Sequence, residues 1–179
     1  MIDGIIRVVV KIRREDKLEL EKQRSSAKNN AYALLRQRPR SVYEIRNRLK
    51  LKGYGDDLIE DIIANLKRSG ELDDEKFARF WVESRMHMNP SGDVLLRYEL
   101  KTKGISDGVI EATLSEKAGK YDEYELAFSM AKERFERLKK LDRQKAMKRV
   151  YDFLLRRGFA YDTVRKIIEK ITKSHNSPS

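Results

Sequence analysis

The stretch LKLKGYGDDLIEDIIANL, residues 49–66, carries a pattern that occurs three times along the chain. It recurs as LKTKGISDGVIEATL at residues 100–114 and as LLRRGFAYDTVRKIIEKI at residues 154–171. The three copies are centred on Gly53, Gly104 and Gly158. Self-similarity at a period of about fifty residues is typical of arrays of small structural units. The sequence therefore predicts three copies of one unit.

Apolar residues flank each glycine at the same offsets, eight and four residues before it and six and ten residues after it. Apolar residues four apart indicate the buried face of an amphipathic helix, so each copy predicts two helices joined at the glycine. A cation directly before the glycine suits a left-handed glycine cap at the C-terminus of the first helix. These positions are Ile45, Leu49, Lys52, Ile59 and Ile63; Leu96, Leu100, Lys103, Ile110 and Leu114; and Val150, Leu154, Arg157, Val164 and Ile168.

The starts of the paired helices carry capping residues. The second helix of each pair is expected to begin near Asp56, Asp107 or Asp162, because a carboxylate stabilises a helix N-terminus. Ser41 and Glu44 have the spacing of a capping box for the first helix of the first pair.

A further helix is predicted before each pair. In the middle unit Phe77, Phe80, Trp81 and Ser84 fall on one stripe, which we interpret as core rather than as a base-stacking surface. Tyr32 and Leu35 have the same role in the first unit, and the third unit uses Ala127, Met130, Ala131 and Leu138. Each unit is therefore a three-helix repeat.

The predicted fold class is all-α, with three tandem three-helix repeats stacked into an elongated, curved array. One such repeat has little core of its own, so neighbours are expected to stack. Ser69-Gly70 and Ala118-Gly119 mark the expected joints. The expected divisions are an N-terminal extension at 1–24, repeats at 25–70, 71–119 and 120–173, and a disordered tail at 174–179.

The N-terminal extension has a different character from the repeats. Residues 5–11 are rich in β-branched side chains and favour a short β segment. Residues 11–24 are polar and charged, and fit either a connection or the start of a helix.

Composition excludes several classes of protein. No apolar run approaches the ~18 residues that span a bilayer, and residues 5–12 lack a signal-peptide cleavage site. The absence of cysteine excludes disulfides and thiolate metal sites. We therefore expect a cytoplasmic protein that does not associate with membranes.

The net charge of +11 indicates a polyanionic or acidic partner. It is uneven: residues 25–70 carry ten Lys/Arg against five Asp/Glu, residues 71–118 seven against ten, and residues 119–179 sixteen against nine. Basic ends around an acidic middle predict at least two basic patches.

The catalytic inventory is small. The two histidines, His87 and His175, have no metal-ligand or nucleophile pattern around them. Gly53-Tyr54-Gly55 lacks the spacing of a phosphate-binding loop. We expect neither enzyme activity nor a cofactor.

Recurring cations are the candidate binding residues. In the first two repeats they lie seven, three and one residues before the glycine, and the first two of each set share a helix face. We call this set the basic ridge: Arg46, Lys50, Lys52, Arg97, Lys101 and Lys103. In the third repeat Tyr151 and Leu155 replace the first two, and the cations are Lys145, Lys148, Arg149, Arg156 and Arg157. Helix capping alone also explains Lys52, Lys103 and Arg157.

Three stretches resemble the RecX family of regulatory proteins. They are RPRSVYEIRNRLKLKGY at 38–54, GELDDEKFARFWVESR at 70–85 and LRYELKTKGI at 96–105, and the resemblance extends over residues 25–172. It implies a bent modular array that binds the RecA recombinase and lodges in the groove of the RecA–DNA filament. It further implies restraint of filament extension, ATP hydrolysis, strand exchange and cleavage of repressor substrates.

The same resemblance implies binding of single- and double-stranded DNA, which we expect to be weaker than binding of the filament, and a charged concave face as the partner surface. We place Arg46, Lys50, Arg97, Lys101 and Lys103 on that face and expect a monomer. Loss of the first two ridge positions in the third repeat leaves open whether all repeats contact the partner alike.

Two rival classes remain. One is an array of helix-turn-helix-like units that acts on DNA without RecA. The helices after the glycines carry Glu60, Asp61, Asn65, Glu111 and Thr113, a poor set for reading bases in the major groove. The other is a helical adaptor that binds only proteins, for which the positive charge serves solubility.

Overall fold

The regular secondary structure is entirely α-helical over the part of the chain that the structure describes. A computed structural model describes the backbone of residues 2–174 and the side chains of residues 16–173. The helices are α1 (Ile2–Gln37), α2 (Val42–Leu51), α3 (Asp56–Arg68), α4 (Asp74–Met88), α5 (Asp93–Thr102), α6 (Asp107–Lys120), α7 (Glu123–Glu136), α8 (Arg143–Arg156) and α9 (Tyr161–Ser174). The predicted all-α class is confirmed.

Helix α1 corrects the expectation for the N-terminus. Its 36 residues include residues 5–11, so the predicted β segment is wrong, and residues 11–24 are helical. No glycine or proline interrupts residues 5–37, so a helix formed by the later residues extends toward the N-terminus at one hydrogen bond per residue. A strand needs a partner strand, and the described backbone contains none. At the other end, residues 175–179 of the expected tail, with His175, lie outside the described residues.

The chain divides into two compact bodies, residues 1–74 and residues 75–179. In the first body the paired helices α2 and α3 bury Ile45, Leu49, Ile59 and Ile63 against the end of α1. Tyr32 and Leu35 pack at the edge of this core. The apolar offsets around Gly53 are therefore core positions, as predicted.

The second body contains two hydrophobic cores. One is formed by α4, α5 and α6 and includes Phe77, Leu96, Leu100 and Ile110. The other is formed by α7, α8 and α9 and includes Val150, Leu154 and Val164. The partly buried Leu126 of α7 packs against both cores.

All three central glycines have positive φ, 84° at Gly53, 75° at Gly104 and 78° at Gly158. In each turn the glycine amide donates to the carbonyl three residues back, over 2.9 Å. The next amide donates to the carbonyl five residues back, over 3.1–3.3 Å. These two bonds define the Schellman motif. The predicted glycine caps are confirmed.

The helix starts also agree with expectation. Helices α3 and α6 begin at Asp56 and Asp107. The Ser41 hydroxyl accepts from the Glu44 amide over 3.1 Å, and the Glu44 carboxylate accepts from the Ser41 amide over 3.4 Å. The capping box is confirmed.

The expected joints differ from each other. Gly70 has a φ of 73° and ends the α3 segment in another left-handed turn. Ala118 and Gly119 instead lie within α6, which continues to Lys120, and the chain leaves the helix at Tyr121.

The stripe on α4 is core only in part. Phe77 is buried, Trp81 and Ser84 are half-buried, and Phe80 is 37% exposed. The prediction that Phe80 is core is wrong. Helical spacing identifies a face but not its width, and the small repeat core covers only part of that face.

Helix α5 begins against the turn that joins α8 to α9. The Gly92 amide donates to the Arg157 carbonyl over 2.9 Å, and the Val94 amide donates to the Gly158 carbonyl over 3.1 Å. A Cβ atom at Gly92 would overlap the Gly158 carbonyl, and a Cβ at Gly158 would overlap Leu95. Both glycines are therefore needed for this close backbone approach within the second body.

Replacement of Gly53 by alanine should lower the free energy of unfolding by about 1–2 kcal/mol, because a Cβ atom is strained at positive φ. Space is not the cause, since no atom lies within 4 Å of that Cβ position. The control is Gly108→Ala in α6, also in open space, which should raise stability by about 0.5 kcal/mol. Urea denaturation followed by circular dichroism measures both, and equal effects of the two variants would contradict the assignment.

Candidate partner-binding site

The ridge arginines form ion pairs across the paired helices. Arg46 of α2 donates to both carboxylate oxygens of Glu60 of α3, over 2.7 and 3.0 Å. Arg97 of α5 is likewise paired with Glu111 of α6, through Nη1 and Oε1. In both repeats the arginine lies seven residues before the glycine and the glutamate seven residues after it.

The ridge lysines three residues before the glycine form a second pair of the same kind. Lys50 Nζ lies 2.8 Å from Asp56 Oδ1, and Lys101 Nζ lies 3.0 Å from Asp107 Oδ1. The aspartates lie three residues after the glycine. The charges are thus mirrored about the glycine, with cations before it and carboxylates after it.

The Arg46–Glu60 hydrogen bonds shift both titrations. They raise the pKa of Arg46 and lower the pKa of Glu60 below its ordinary value. These side chains remain 33% and 54% exposed, and Lys50 and Asp56 are 49% and 72% exposed. Such exposed pairs contribute little to stability, and their cations remain accessible to a partner.

The third repeat replaces both members of each pair together. Tyr151 and Arg165 occupy the outer mirrored positions, and Leu155 and Tyr161 occupy the inner ones. The Tyr151 and Tyr161 rings meet edge to face with centroids 6.4 Å apart. An aromatic contact therefore takes the place of the ion pairs.

The two ridge lysines directly before the glycines have different surroundings. Lys52 is exposed, and no ion pair or hydrogen bond joins its side chain to the rest of the described chain. Lys103 is half-buried, with Nζ 4.1 Å from the centroid of the Trp81 ring. The Trp81 indole NH donates to Glu99 Oε2 over 2.8 Å, and Glu99 is also paired with Arg85. Trp81 is thus part of a packed cation–aromatic cluster.

Arg157 lies at the contact between α8 and the connection from α4 to α5. Its guanidinium donates to Asn89 Oδ1 and, over 3.4 Å, to the Pro90 carbonyl. Burial lowers the pKa of Arg157, and the nearby Arg85 contributes to the same shift. Arg157 is thus half-buried against this connection. The other candidate cations of the third repeat, Lys145, Lys148, Arg149 and Arg156, are exposed.

A buried ion triad is the main polar feature that sequence reasoning missed. The Lys117 side chain is 2% exposed, and its Nζ lies 2.6 Å from Asp93 Oδ1 and 2.9 Å from Glu123 Oε2. Glu123 Oε2 also accepts from the Asp93 amide over 3.1 Å. Burial raises the pKa of Glu123, and the hydrogen bond from Lys117 partly offsets this. The triad joins α5, α6 and α7.

The repeat alignment contained a signal for this triad. Lys117 lies thirteen residues after Gly104, and the equivalent residues after Gly53 and Gly158 are Leu66 and Ile171. Both are buried, at 2% and 5% exposure. A lysine at a core position of a repeat indicates a buried charge that needs partners.

Over residues 16–173, no group of three or more His, Asp or Glu side chains could hold a metal ion. His87 is exposed, and its Nδ1 lies 2.8 Å from the Glu83 carbonyl oxygen one turn back on α4. No helix in the described range is long and apolar enough to cross a membrane.

The fold and these contacts define a class of protein. It is an all-α protein of tandem three-helix repeats, in which the first two repeats have equivalent ion pairs. Family models for the first, second and third three-helix domains of RecX match residues 27–66, 73–114 and 121–168. The chain belongs to the RecX family.

Similar proteins and a similar solved structure carry the same family name. Regulatory protein RecX of Prosthecochloris aestuarii is 35% identical over 145 residues, which cover 81% of this chain and 93% of that protein. The Amycolatopsis mediterranei protein of the same name is 29% identical over 89% of this chain and 90% of its own length. The crystal structure of RecX from Lactobacillus salivarius has a TM-score of 0.71 at 23% identity and covers 85% of this chain and 98% of that one. The relatives are named regulatory proteins rather than enzymes.

Substitution of Lys117 by methionine should cost about 3–5 kcal/mol of stability at pH 7, because it leaves carboxylates buried without a cation. Loss of Lys117 raises the folded-state pKa of Glu123 further, since Lys117 lowers it. A carboxyl group with a raised folded pKa destabilises the fold as pH rises above its unfolded pKa, so the loss should be smaller near pH 4. Urea denaturation at both pH values measures this.

The matched control is Lys120→Met in the same helix. Lys120 Nζ lies 3.2 Å from Glu83, and its side chain is 59% exposed. Removal of an exposed pair should cost less than about 1 kcal/mol. Equal losses for the two variants at pH 7 would contradict the role assigned to the triad.

Proposed function

We propose that this chain binds the RecA recombinase and the RecA–DNA filament, and inhibits the recombinase, ATPase and coprotease activities of RecA. Membership of the RecX family supports this partner. The observation that carries the proposal is the recurrence of the same four mirrored charges in the first two repeats. A periodic set of equivalent charges suits a partner that is itself periodic, as a helical filament is.

Several weak contacts acting together would supply the affinity. When one repeat is bound, the next is held near its own site at high effective concentration, so the combined affinity exceeds that of either contact. A chain that bridges neighbouring protomers favours one filament geometry. It therefore opposes subunit addition and the structural changes that accompany ATP turnover.

The ridge residues take part by exchanging partners. Arg46, Lys50, Arg97 and Lys101 are each between one third and just over one half exposed. The intramolecular carboxylate holds each cation in position, and an acidic group on the partner then shares or replaces it. The proposed set of partner-binding residues also includes Lys52, Lys103, Lys148, Arg149, Arg156 and Arg157. We propose that the protein acts as a monomer in the cytoplasm and binds bare single- or double-stranded DNA more weakly than the filament.

Co-sedimentation separates this proposal from its rivals. The chain should be retained more strongly by RecA filaments on single-stranded DNA than by equal amounts of bare single-stranded or duplex DNA. Equal retention on bare DNA would favour a RecA-independent DNA-binding protein. Retention by free RecA as strong as by the filament would favour an adaptor that binds only protein.

Two charge variants test the ridge itself. Arg46→Gln/Arg97→Gln removes the cations, whereas Glu60→Gln/Glu111→Gln breaks the same two ion pairs and leaves the cations in place. If the cations contact the partner, the arginine variant should bind filaments at least about tenfold more weakly, since charge-assisted contacts contribute about 1.5–3 kcal/mol in all. The glutamate variant should bind as well as the parent or better.

Equal weakening by the two variants would show that the pairs serve only the fold. Thermal denaturation of both variants is the companion measurement. Because the two variants break the same exposed pairs, their melting temperatures should change by similar small amounts.

A further inference from the structure

Four exposed cations lie on one face of α8: Lys145, Lys148, Arg149 and Arg156. At 100° per residue they fall within an arc of about 100°, and we call this arc the α8 cationic face. The buried residues of the helix, Ala146, Val150 and Leu154, lie on the other side. The helix therefore presents its cations to solvent as one continuous surface.

The α8 cationic face differs from the paired ridge cations because its own cations have no carboxylate partners. The paired ridge cations are Arg46, Lys50, Arg97 and Lys101. Among the described contacts, no ion pair or hydrogen bond involves the side chains of the four cations of the α8 cationic face. Asp152 is the one carboxylate within the arc. Asp142 at the N-cap is already engaged, because its Oδ1 accepts from the Lys145 backbone amide over 3.1 Å.

Fold stability does not explain this arrangement. A helix N-terminus favours negative charge, yet the first turn of α8 contains no acidic residue and carries Arg143 and Lys145. Like charges four apart on a helix also destabilise it slightly. Arg156 in the last turn suits the helix dipole, but Lys145 in the first turn opposes it and repels Arg149 four residues further on. An external anion better explains why these cations are grouped on one face.

The dimensions of the face fit a nucleic-acid backbone. From Lys145 to Arg156 the helix advances eleven residues, about 16 Å at 1.5 Å per residue. Along a duplex, one strand presents a phosphate about every 3.4 Å, so several phosphates lie within that length. A row of cations without intervening carboxylate pairs matches such regularly spaced charges.

The composition of the face favours nucleic acid over a protein surface. Anchor residues of protein interfaces are enriched in Trp, Tyr and Arg that fill desolvated pockets. The arc contains no aromatic side chain, and its arginines, Arg149 and Arg156, are exposed. It also lacks Asn and Gln, which read adenine edges, whereas Arg and Lys contact phosphates as well as guanine. A row made only of Lys and Arg therefore favours contact with the backbone over reading of a mixed sequence.

We propose that the α8 cationic face binds the phosphate backbone of nucleic acid without sequence preference and without the help of RecA. This deepens the proposed function, because it assigns the direct DNA contact to the repeat that lacks the mirrored ion pairs. Asp152 opposes this binding by repelling the phosphates.

The test compares two adjacent Lys–Arg pairs, each replaced in the whole 179-residue chain. Lys148→Gln/Arg149→Gln removes two charges from the face. Lys67→Gln/Arg68→Gln removes two exposed charges from the end of α3 and is the matched control for net charge. Fluorescence anisotropy with labelled single-stranded and duplex oligonucleotides, without RecA and over a range of salt concentrations, reports both affinity and salt dependence.

For duplex DNA the Lys148→Gln/Arg149→Gln variant should bind more weakly, and its slope of log affinity against log salt should be shallower by about 1.8, about 0.9 for each lost phosphate contact. The control should keep the parent slope, and Asp152→Asn should bind more tightly than the parent. Equal losses in the two double variants, or an unchanged slope in the first, would overturn the proposal.

Inhibition of RecA ATPase by the same proteins separates this inference from the proposed function. If the parent inhibits RecA but the α8 variant binds DNA normally, the site assignment fails and the proposed function stands. If the parent binds DNA through α8 but does not affect RecA, the proposed function fails and the site stands. If the site assignment and the proposed function are both right, the parent inhibits RecA and the α8 variant loses affinity for DNA.

Discussion

The left-handed glycine turn determines how the two helices of each pair are placed against each other. Because Gly53 and Gly104 adopt positive φ, the chain turns within the four residues between the paired helices and sets the second helix against the first. Positions at equal distances before and after the glycine then face each other. This symmetry brings Arg46 to Glu60 and Arg97 to Glu111. The sequence supplies the recurring charges, and the turn brings them together as ion pairs.

The third repeat uses the same turn for another purpose. Gly158 keeps its positive φ, but its carbonyl accepts the Val94 amide at the start of α5, and the ion pairs are absent. Together with the buried Lys117 triad, this contact connects two repeats within the second body. The cations of the α8 cationic face have no ion-pair partners within the described part of the chain. We propose that they bind a different ligand from the one bound by the paired cations of the first two repeats. We interpret the array as one scaffold with two kinds of charged surface.

The sequence predicted those features that local physics determines. The glycine caps, the capping box at Ser41 and the buried offsets around each glycine, apart from the partly buried Ile168, all follow from short-range patterns. The β segment failed because β-branched composition competes poorly with an uninterrupted helix. The expected burial of Phe80 failed because periodicity does not determine how wide a covered face is.

Candidate binding cations could be identified from the sequence, but their partners could not be assigned without the fold. Glu60 and Glu111 stood at mirrored offsets, a signal that becomes meaningful only once the turn places the helices side by side. Lys117 at a core position was readable from the alignment of repeats. The contact between Arg157 and Asn89, which lie 68 residues apart, has no local signature.

Restraint of RecA on DNA by a repeated charged scaffold is tested by the rate of ATP hydrolysis by RecA on single-stranded DNA as this chain is added. The rate should fall progressively with added protein, and the fall should persist when RecA filaments are assembled beforehand. An unchanged rate, at concentrations where the chain is shown to be bound to those filaments, would contradict the proposed restraint of RecA.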